Sequence, residues 1–398
     1  MGNRRLVVTR IARQGGMAVL AALVSATAAC APAPEAQAQA GLAVAARIPV
    51  SRSPGTVALA DLNGDGKLDI VVANEQSHDL TVLLGDGTGR FTEAPGSPVP
   101  AGNMPNDIVI ARFNADAALD IAVANHEADY LTALLGDGRG GFRPAPGSPI
   151  RVGVTPHPHG IAAADFDGDG KLDLVTDGWA TDEVEVLRGD GNGGFSPLAT
   201  HRVGRHPYQR VRAFDADGDG NPDIVTANLR GASVTVLAGD GMGAFRPMPG
   251  SPFPAHAFPT SVAIGDCDGD GRPDLAVTNS PSNSAGSGRD GLTVLRGESS
   301  GVWRPIGIAP VATGVAPTLL TVGDFDADGR DDIAVSNMNS GTVTIARCAP
   351  DGRIVIAQEV RVGRLPKGIA AGDLNGDGLP DLVVANNGDD DIAILLVR

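Results

Sequence analysis

After residue 40 the apolar residues of this chain fall in short runs of Val, Ile, Leu and Ala. Each run is bounded by Gly, Asp, Asn or Pro, and none carries the three-to-four-residue spacing of an amphipathic helix. Short β-branched runs between turn residues predict strands. Residues 158–200 show the unit. Pro158-His159-Gly160 opens a strand of small residues, 161–164, and an acidic loop, 165–173, leads to a second strand at 174–176. A loop through Trp179 reaches a third strand at 184–188, and the turn Gly189-Asp190-Gly191-Asn192-Gly193 closes a hairpin onto a fourth beginning near Phe195. Four short antiparallel strands with turns between them make one blade of a β-propeller.

The unit recurs. Its marker is an acidic nonapeptide, D-x-[DN]-x-D-G-x-x-D, followed by an apolar run that in most copies ends in Asn. Copies begin at Asp61, Arg112, Asp165, Asp215, Asp266, Asp324 and Asp373, at spacings of 51, 53, 50, 51, 58 and 49 residues. Such a period belongs to solenoids, propellers and arrays. A single repeat cannot bury its own apolar face, so the repeats predict one closed domain over 41–398. First strands carry small residues (Ala58, Ala60, Ala162, Ala163, Ala164, Ala370, Ala371, Gly372), as crowding at a propeller axis requires. Third strands (80–84, 131–135, 392–396) are bulkier, as expected further out. The seventh repeat stops after its third strand at Arg398, and a spare strand, 42–50, precedes the first repeat. If that segment completes the last blade, no edge is left unpaired. The expected fold is therefore all-β: a seven-bladed β-propeller with four antiparallel strands per blade, closed by the N-terminal strand.

The first 40 residues stand apart. Arg4, Arg5, Arg10 and Arg13 precede an apolar stretch, 17–29, of 13 residues, and small residues follow. This is the pattern of an export signal, too short for a permanent membrane span. Two processing routes fit it. Ala38-Gln39-Ala40 suits ordinary cleavage before Gly41. Thr27-Ala28-Ala29-Cys30 resembles a bacterial lipobox, with Cys30 as the lipidated residue and 31–40 as a Pro/Ala tether. Either route predicts a secreted, periplasmic or cell-surface protein, membrane-associated only through a lipid anchor.

Net charge sharpens the picture. The chain carries −16, and removing residues 1–40 leaves −19, a balance that argues against nucleic acid and anionic membranes as partners. A monomer is expected. Only Cys267 and Cys348 remain in the body, too few for a disulfide framework. Cys267 occupies the second loop position, where other copies have Leu62, Phe113, Phe166, Phe325 and Leu374, so the reading is a buried, inert thiol rather than a disulfide to Cys348.

Of the 47 acidic residues, 22 are Asp at positions 1, 3, 5 and 9 of the six intact nonapeptides. In such a loop the side chains at positions 1, 3, 5 and 9 converge, position 7 offers its carbonyl, and Gly at position 6 permits the turn. The predicted donor sets are Asp61, Asn63, Asp65, Lys67 and Asp69; Asp165, Asp167, Asp169, Lys171 and Asp173; and Asp215, Asp217, Asp219, Asn221 and Asp223. The remaining sets are Asp266, Asp268, Asp270, Arg272 and Asp274; Asp324, Asp326, Asp328, Arg330 and Asp332; and Asp373, Asn375, Asp377, Leu379 and Asp381. Hard oxygen donors suit calcium better than magnesium, and about six ions are expected. Position 7 varies too widely to coordinate through its side chain, which should point away. These are not EF-hands, because residues such as Val72, Thr176 and Val384 stand where a bidentate Glu is needed, and a strand follows. The second copy has Arg112 for the first Asp and Ala117 for the turn Gly; its guanidinium is expected to replace the cation, paired with Asp116 and Asp120.

The core pattern [GA]-D-[FL]-[ND]-x-D-G-x-x-D-[LI]-x-V-x-N over 42–398 resembles the FG-GAP/VCBS repeat family, which includes the seven-bladed heads of integrin alpha subunits and a fungal lectin propeller. The resemblance implies calcium in the loops between first and second strands. Val-Ala-Asn stands where integrin-type repeats have Gly-Ala-Pro, which places the chain nearer bacterial members. That family includes adhesins, lectins and lyases, so it does not give function.

No nucleophile elbow, catalytic triad, phosphate loop or zinc cluster stands out. The residue after the Pro that leads into each first strand varies (Gly55, Asn106, His159, Tyr208, Thr260, Thr318, Lys367) on a frame that varies little. Strand alternation puts this ring on the face opposite the metal loops. Asn106, Asp107, His157, His159, Trp179, Tyr208, Arg210 and Lys367 are the candidate ligand residues, with the long loop 280–291 on the same face. The expected function is a non-enzymatic binding or adhesion module for a carbohydrate or surface protein, the alternative being a polysaccharide lyase or hydrolase.

Overall fold

The computed structural model describes residues 41–398 except 155–156, 283–287, 299–300, 308–309 and 350–352. The expected export signal, Cys30 and the middle of the 280–291 loop lie outside the described residues. Seven antiparallel sheets follow one another, each built around a four-strand path. Blade three has strands Ile161–Ala164, Asp173–Gly178, Glu183–Gly189 and Phe195–Arg202, in spatial order. Blade seven has Pro366–Gly372, Asp381–Asn386 and Asp391–Val397, and its outermost strand is the N-terminal Leu42–Pro49. Leu42 faces Val397 and Pro49 faces Asp391, so the last blade's edge is fully paired. The closing strand is also tied to blade six, where Gln358 Nε2 donates to the Leu42 carbonyl at 2.8 Å and Gln358 Oε1 accepts from the Leu42 amide at 3.0 Å.

The fourth strand departs from the expected single run in blades one, two and four. It breaks into pairs such as Phe91–Glu93 and Val99–Pro100, with an intervening Pro-Gly-Ser-Pro that no ladder accommodates. The hydroxyls of Ser97, Ser148 and Ser251 accept the third-strand amides of Val82, Ala133 and Val236 that the break would leave unpaired.

Apolar burial follows the blade boundaries. The buried residues form seven clusters, one at each junction between neighbours, including that of blade seven with blade one. Position 2 of every nonapeptide plugs into the junction with the next blade: Leu62, Phe113, Phe166, Ala216, Cys267, Phe325 and Leu374 are all buried. The acidic loops are therefore anchored by the core.

Position 9 completes the anchor. Asp69, buried with no exposed area, accepts the Leu62 amide at 2.9 Å through Oδ2 and the Gly85 amide at 2.8 Å through Oδ1. The first bond fixes the loop's second residue; the second ties the loop to the end of the third strand. Asp120, Asp173, Asp223, Asp274 and Asp381 repeat both bonds. Blade two keeps this clamp although its loop has lost the first Asp, so the clamp has a structural role apart from metal.

The reading of Cys267 as a free thiol is overturned. Cys267 and Cys348 form a disulfide with Cα atoms 5.4 Å apart. Cys267 enters the junction of blades five and six from the loop, and Cys348 enters it from the end of blade six's third strand, in the place held by Gly85 in blade one. Their 81-residue separation hides a neighbour relation that only ring closure creates.

Deleting residues 41–50 should expose the edge of Asp391–Val397 and produce aggregation or loss of a cooperative melting transition; unchanged melting would remove the closure account. Asp120→Ala leaves two buried amides unpaired and should cost about 2–4 kcal/mol in denaturant unfolding, equally with calcium and with chelator. A cost seen only with calcium would contradict the clamp.

Candidate functional site

The nonapeptides form one face. Asp61 Oδ1 accepts the amides of Gly64 at 2.7 Å and Asp65 at 3.1 Å, and Oδ2 accepts that of Gly66 at 2.8 Å. Gly64 and Gly66 have φ of 75° and 82°, which side chains disfavour. Asn63 and Asp65 each accept the amide two residues on. The carboxylate at position 1 makes the same reach to position 6 in blades three to seven. The loop is thus shaped by its own side chains.

In four loops the carboxylates at positions 1, 3 and 9 bring oxygens within 4.8 Å of one another: Asp165, Asp167 and Asp173; Asp215, Asp217 and Asp223; Asp266, Asp268 and Asp274; Asp324, Asp326 and Asp332. Blades one and seven carry Asn63 and Asn375 at position 3. These all-oxygen sets are compatible with a hard divalent cation. An orphaned atom supports the fit: Asp332, 1% exposed, has an Oδ2 without a hydrogen-bond partner. Burial pushes Asp223 and Asp274 up to about 6, and burial with the Asp326 charge pushes Asp332 up to about 7. A bound cation would neutralise these three carboxylates in place of protons.

Two expectations for these loops change. Position 7 side chains do not all point away: Lys67, Lys171, Arg272 and Arg330 fold back on the position 5 carboxylates Asp65, Asp169, Asp270 and Asp328. Their long stems bring the charge round the turn to the nearest anion. Arg112 does not pair with Asp116 or Asp120. Its Nε donates to the Ala117 carbonyl at 3.2 Å, because Asp120 is already occupied by two amides.

The opposite face gathers rings from three blades. The His159 ring lies 4.4 Å from His126, 4.8 Å from Tyr208 and 5.5 Å from Trp179, centroid to centroid. Trp179 is 5.2 Å from His206 and donates Nε1–H to its Nδ1 at 2.7 Å. His157 Nδ1 is 2.8 Å from the His126 carbonyl oxygen. His159 is 2% exposed, and its Nδ1 has no partner. Burial holds His159 well below the usual imidazole range and lowers His126; it raises Tyr208. His126 and His159 are thus neutral imidazoles at pH 7. Trp179, Tyr208, His126, His157 and His206 stay half-buried, so the cluster presents ring area to solvent.

The other candidates serve the frame. Asn106 is buried and donates to the His159 carbonyl at 2.8 Å, while Asp107 Oδ2 accepts the Ile161 amide at 3.3 Å. Both join blade two to blade three rather than opening to the channel mouth, because first strands at the axis touch. Lys367 is paired with Glu75 of blade one. Asp177, pushed up to about 6 by burial, accepts the amides of His159 and Gly160. A cavity of about 10 Å³ at the axis, lined by Thr56, Asp107, His159, Gln209, Arg210, Lys367 and two neighbours, has room for about one water.

The residue before each lead-in Pro has a positive φ in all seven blades (Ser53, Met104, His157, His206, Phe258, Ala316, Leu365), so this feature is architectural. Blade four adds Gln209 and Arg210 at φ of 36° and 75°, where its lead-in holds one extra residue. That insertion leaves Gln209 Oε1 and Arg210 Nε buried without partners beside His159. His126 and His206 were not among the sequence candidates; the signal that could have found them is that each adjoins a turn on the same face.

The fold resembles that of a lectin from Agrocybe aegerita that recognises non-reducing terminal N-acetylglucosamine, with TM-score 0.53 and 18% identity over 84% of this chain and 86% of that one. It also resembles virginiamycin B lyase from Staphylococcus aureus, with TM-score 0.57 and 13% identity over 90% and 100%. A protein from Lactobacillus plantarum matches with TM-score 0.55 and 14% identity over 87% and 92%. These likenesses show the fold alone. No curated protein matches the chain. The profile of the FG-GAP-like repeat matches residues 61–123, 112–176, 215–277 and 324–384, more than half of the sequence. The chain belongs to the FG-GAP-like repeat family.

Proposed function

We propose that this chain is an exported, calcium-binding β-propeller that acts as a non-enzymatic binding module, with carbohydrate as its ligand. One observation carries the reading. In a chain with only 4% aromatic residues, one of two Trp, one of two Tyr and four of seven His meet in a single half-buried cluster. Sugar rings present C–H faces that stack on such surfaces, while the histidine nitrogens supply hydrogen bonds. A rigid ring with variable lead-in loops is a suitable carrier for that patch. The lyase alternative would use His159 as a base, but 2% exposure keeps that imidazole from a bulky substrate. The disulfide suits an oxidising compartment, in keeping with the export signal. Calcium would be held by positions 1, 3, 5 and 9, with the carbonyl of position 7, and would neutralise the acidic face.

Two outcomes test this. Calcium should raise the melting temperature, each site adding about 2.7 kcal/mol at a hundredfold excess over Kd. Asp223, Asp274 and Asp332 have folded-state values raised above the ordinary 3.8, so protons bind the native loops more tightly than the unfolded chain. Metal-free stability from these groups is full below about pH 4 and is lost as pH rises through about 6 to 7, where the unpaired charges appear. The calcium increment should therefore grow over that window. An increment that shrinks as pH rises, or no increment, contradicts the metal assignment. On a glycan array, a hit should weaken by at least about tenfold with Trp179→Ala or Tyr208→Ala and be unchanged by Lys67→Ala on the metal face. The reverse pattern places the ligand on the other side.

A further inference from the structure

The seven loops differ in one respect that the repeat does not require. Each third strand carries, at one common register, a residue 21 positions after position 3 of its own loop, or 28 in blade five. Where position 3 is Asn, that residue is Leu: Asn63 with Leu84, Asn114 with Leu135, Asn375 with Leu396. Where position 3 is Asp, it is Arg in three of four blades. Arg188 pairs with Asp167, Arg296 Nε lies 2.5 Å from Asp268, and Arg347 Nε lies 3.1 Å from Asp326. The partnered carboxylates of Asp167 and Asp268 are only 3% and 7% exposed, so these arginines answer charges that water cannot screen well. Blade four is the exception. Asp217 is matched by Ala238, which is 3% exposed in the apolar cluster that also holds Met248 and Trp303. Among the described residues no ion pair reaches any carboxylate of the blade four loop.

Position 7 repeats the trend. Lys67, Lys171, Arg272 and Arg330 neutralise their loops from within, whereas blade four has Asn221 and blade seven Leu379. Counting carboxylates at positions 1, 3, 5 and 9 against these cations gives −4 for blade four, −3 for blade seven, and −2 for blades one, three, five and six. We infer that the cation sites are graded by built-in counter-charges, and that blade four holds the tightest one and fills first. A divalent cation entering blades three, five or six must displace or share the carboxylate that an arginine already holds. In blade four it meets four carboxylates with no competitor. Donor charge count tunes affinity in oxygen-donor loops of this kind, and a cation brought within a few ångströms of a second positive charge is strongly opposed. The arginines also explain how a chain this acidic keeps its loops folded when metal is scarce: three of the sites carry their own substitute. This inference rests on the calcium reading and adds an order to it.

Titration calorimetry of the full-length mature protein, stripped with chelator and then titrated with calcium chloride, tests it. The expected isotherm has one tight step before the weaker ones. Asp217→Asn, which copies blades one and seven, should weaken that step by about tenfold or more, as should Ala238→Arg, which copies blades three, five and six. Arg188→Leu takes blade three to −3, level with blade seven, and should strengthen one of the weaker steps without adding a second site to the tight class. Melting in chelator checks that each variant is folded, and Asp217→Asn keeps the test standing if Ala238→Arg does not pack. A tight step that survives Asp217→Asn, or six equivalent sites in the parent, overturns the grading and leaves calcium binding intact. Absence of any calcium heat or bound calcium overturns both.

Discussion

The buried carboxylate at position 9 is the constraint on which the rest of this propeller depends. One side chain accepts the amide that fixes the loop's apolar second residue in the neighbouring junction, and a second amide at the end of the third strand. A carboxylate taking two amides inside a core replaces water for three backbone segments at once, and its loss leaves donors that nothing else can reach. Repeated around the ring, it couples loop shape to blade packing. In four loops the same residue has an oxygen within 4.8 Å of those at positions 1 and 3. A loop built this way is folded before any ion arrives, so a cation would find a ready site rather than create one.

Blade six is where this device is weakest. Asp332 has an unpartnered oxygen and the most strongly raised pKa of the position 9 residues, and the strand end that offers a glycine in blades one to five carries Cys348. The disulfide to Cys267 sits in this junction, and Asp331 adds two backbone links to Asp266: its Oδ2 accepts the Asp266 amide at 2.8 Å, and its own amide donates to the Asp266 carbonyl at 3.0 Å. Covalent and polar ties are thus concentrated where the carboxylate clamp is incomplete.

The ring count, the closing strand and the loops between first and second strands were legible because each rests on local pattern: a period, a turn glycine, an alternation of strand direction. What the sequence hid was neighbourhood across blades. The Cys267–Cys348 bond, the pairing of Lys367 with Glu75 and the burial of Asn106 against His159 all join residues that only ring closure brings together. The position 7 cations were misjudged for a different reason, since a variable residue need not be an idle one. His126 and His206 escaped because neither lies in the lead-in ring position that directed attention to His159 and Tyr208.

The central claim is that six of the seven loops are cation sites and that the second, with Arg112 and Ala117, is not. Metal analysis of protein equilibrated with calcium and freed of unbound ion tests this most directly. A value near six calcium ions per chain, unchanged by Asp116→Ala in blade two, is the predicted result; two or fewer would contradict the account.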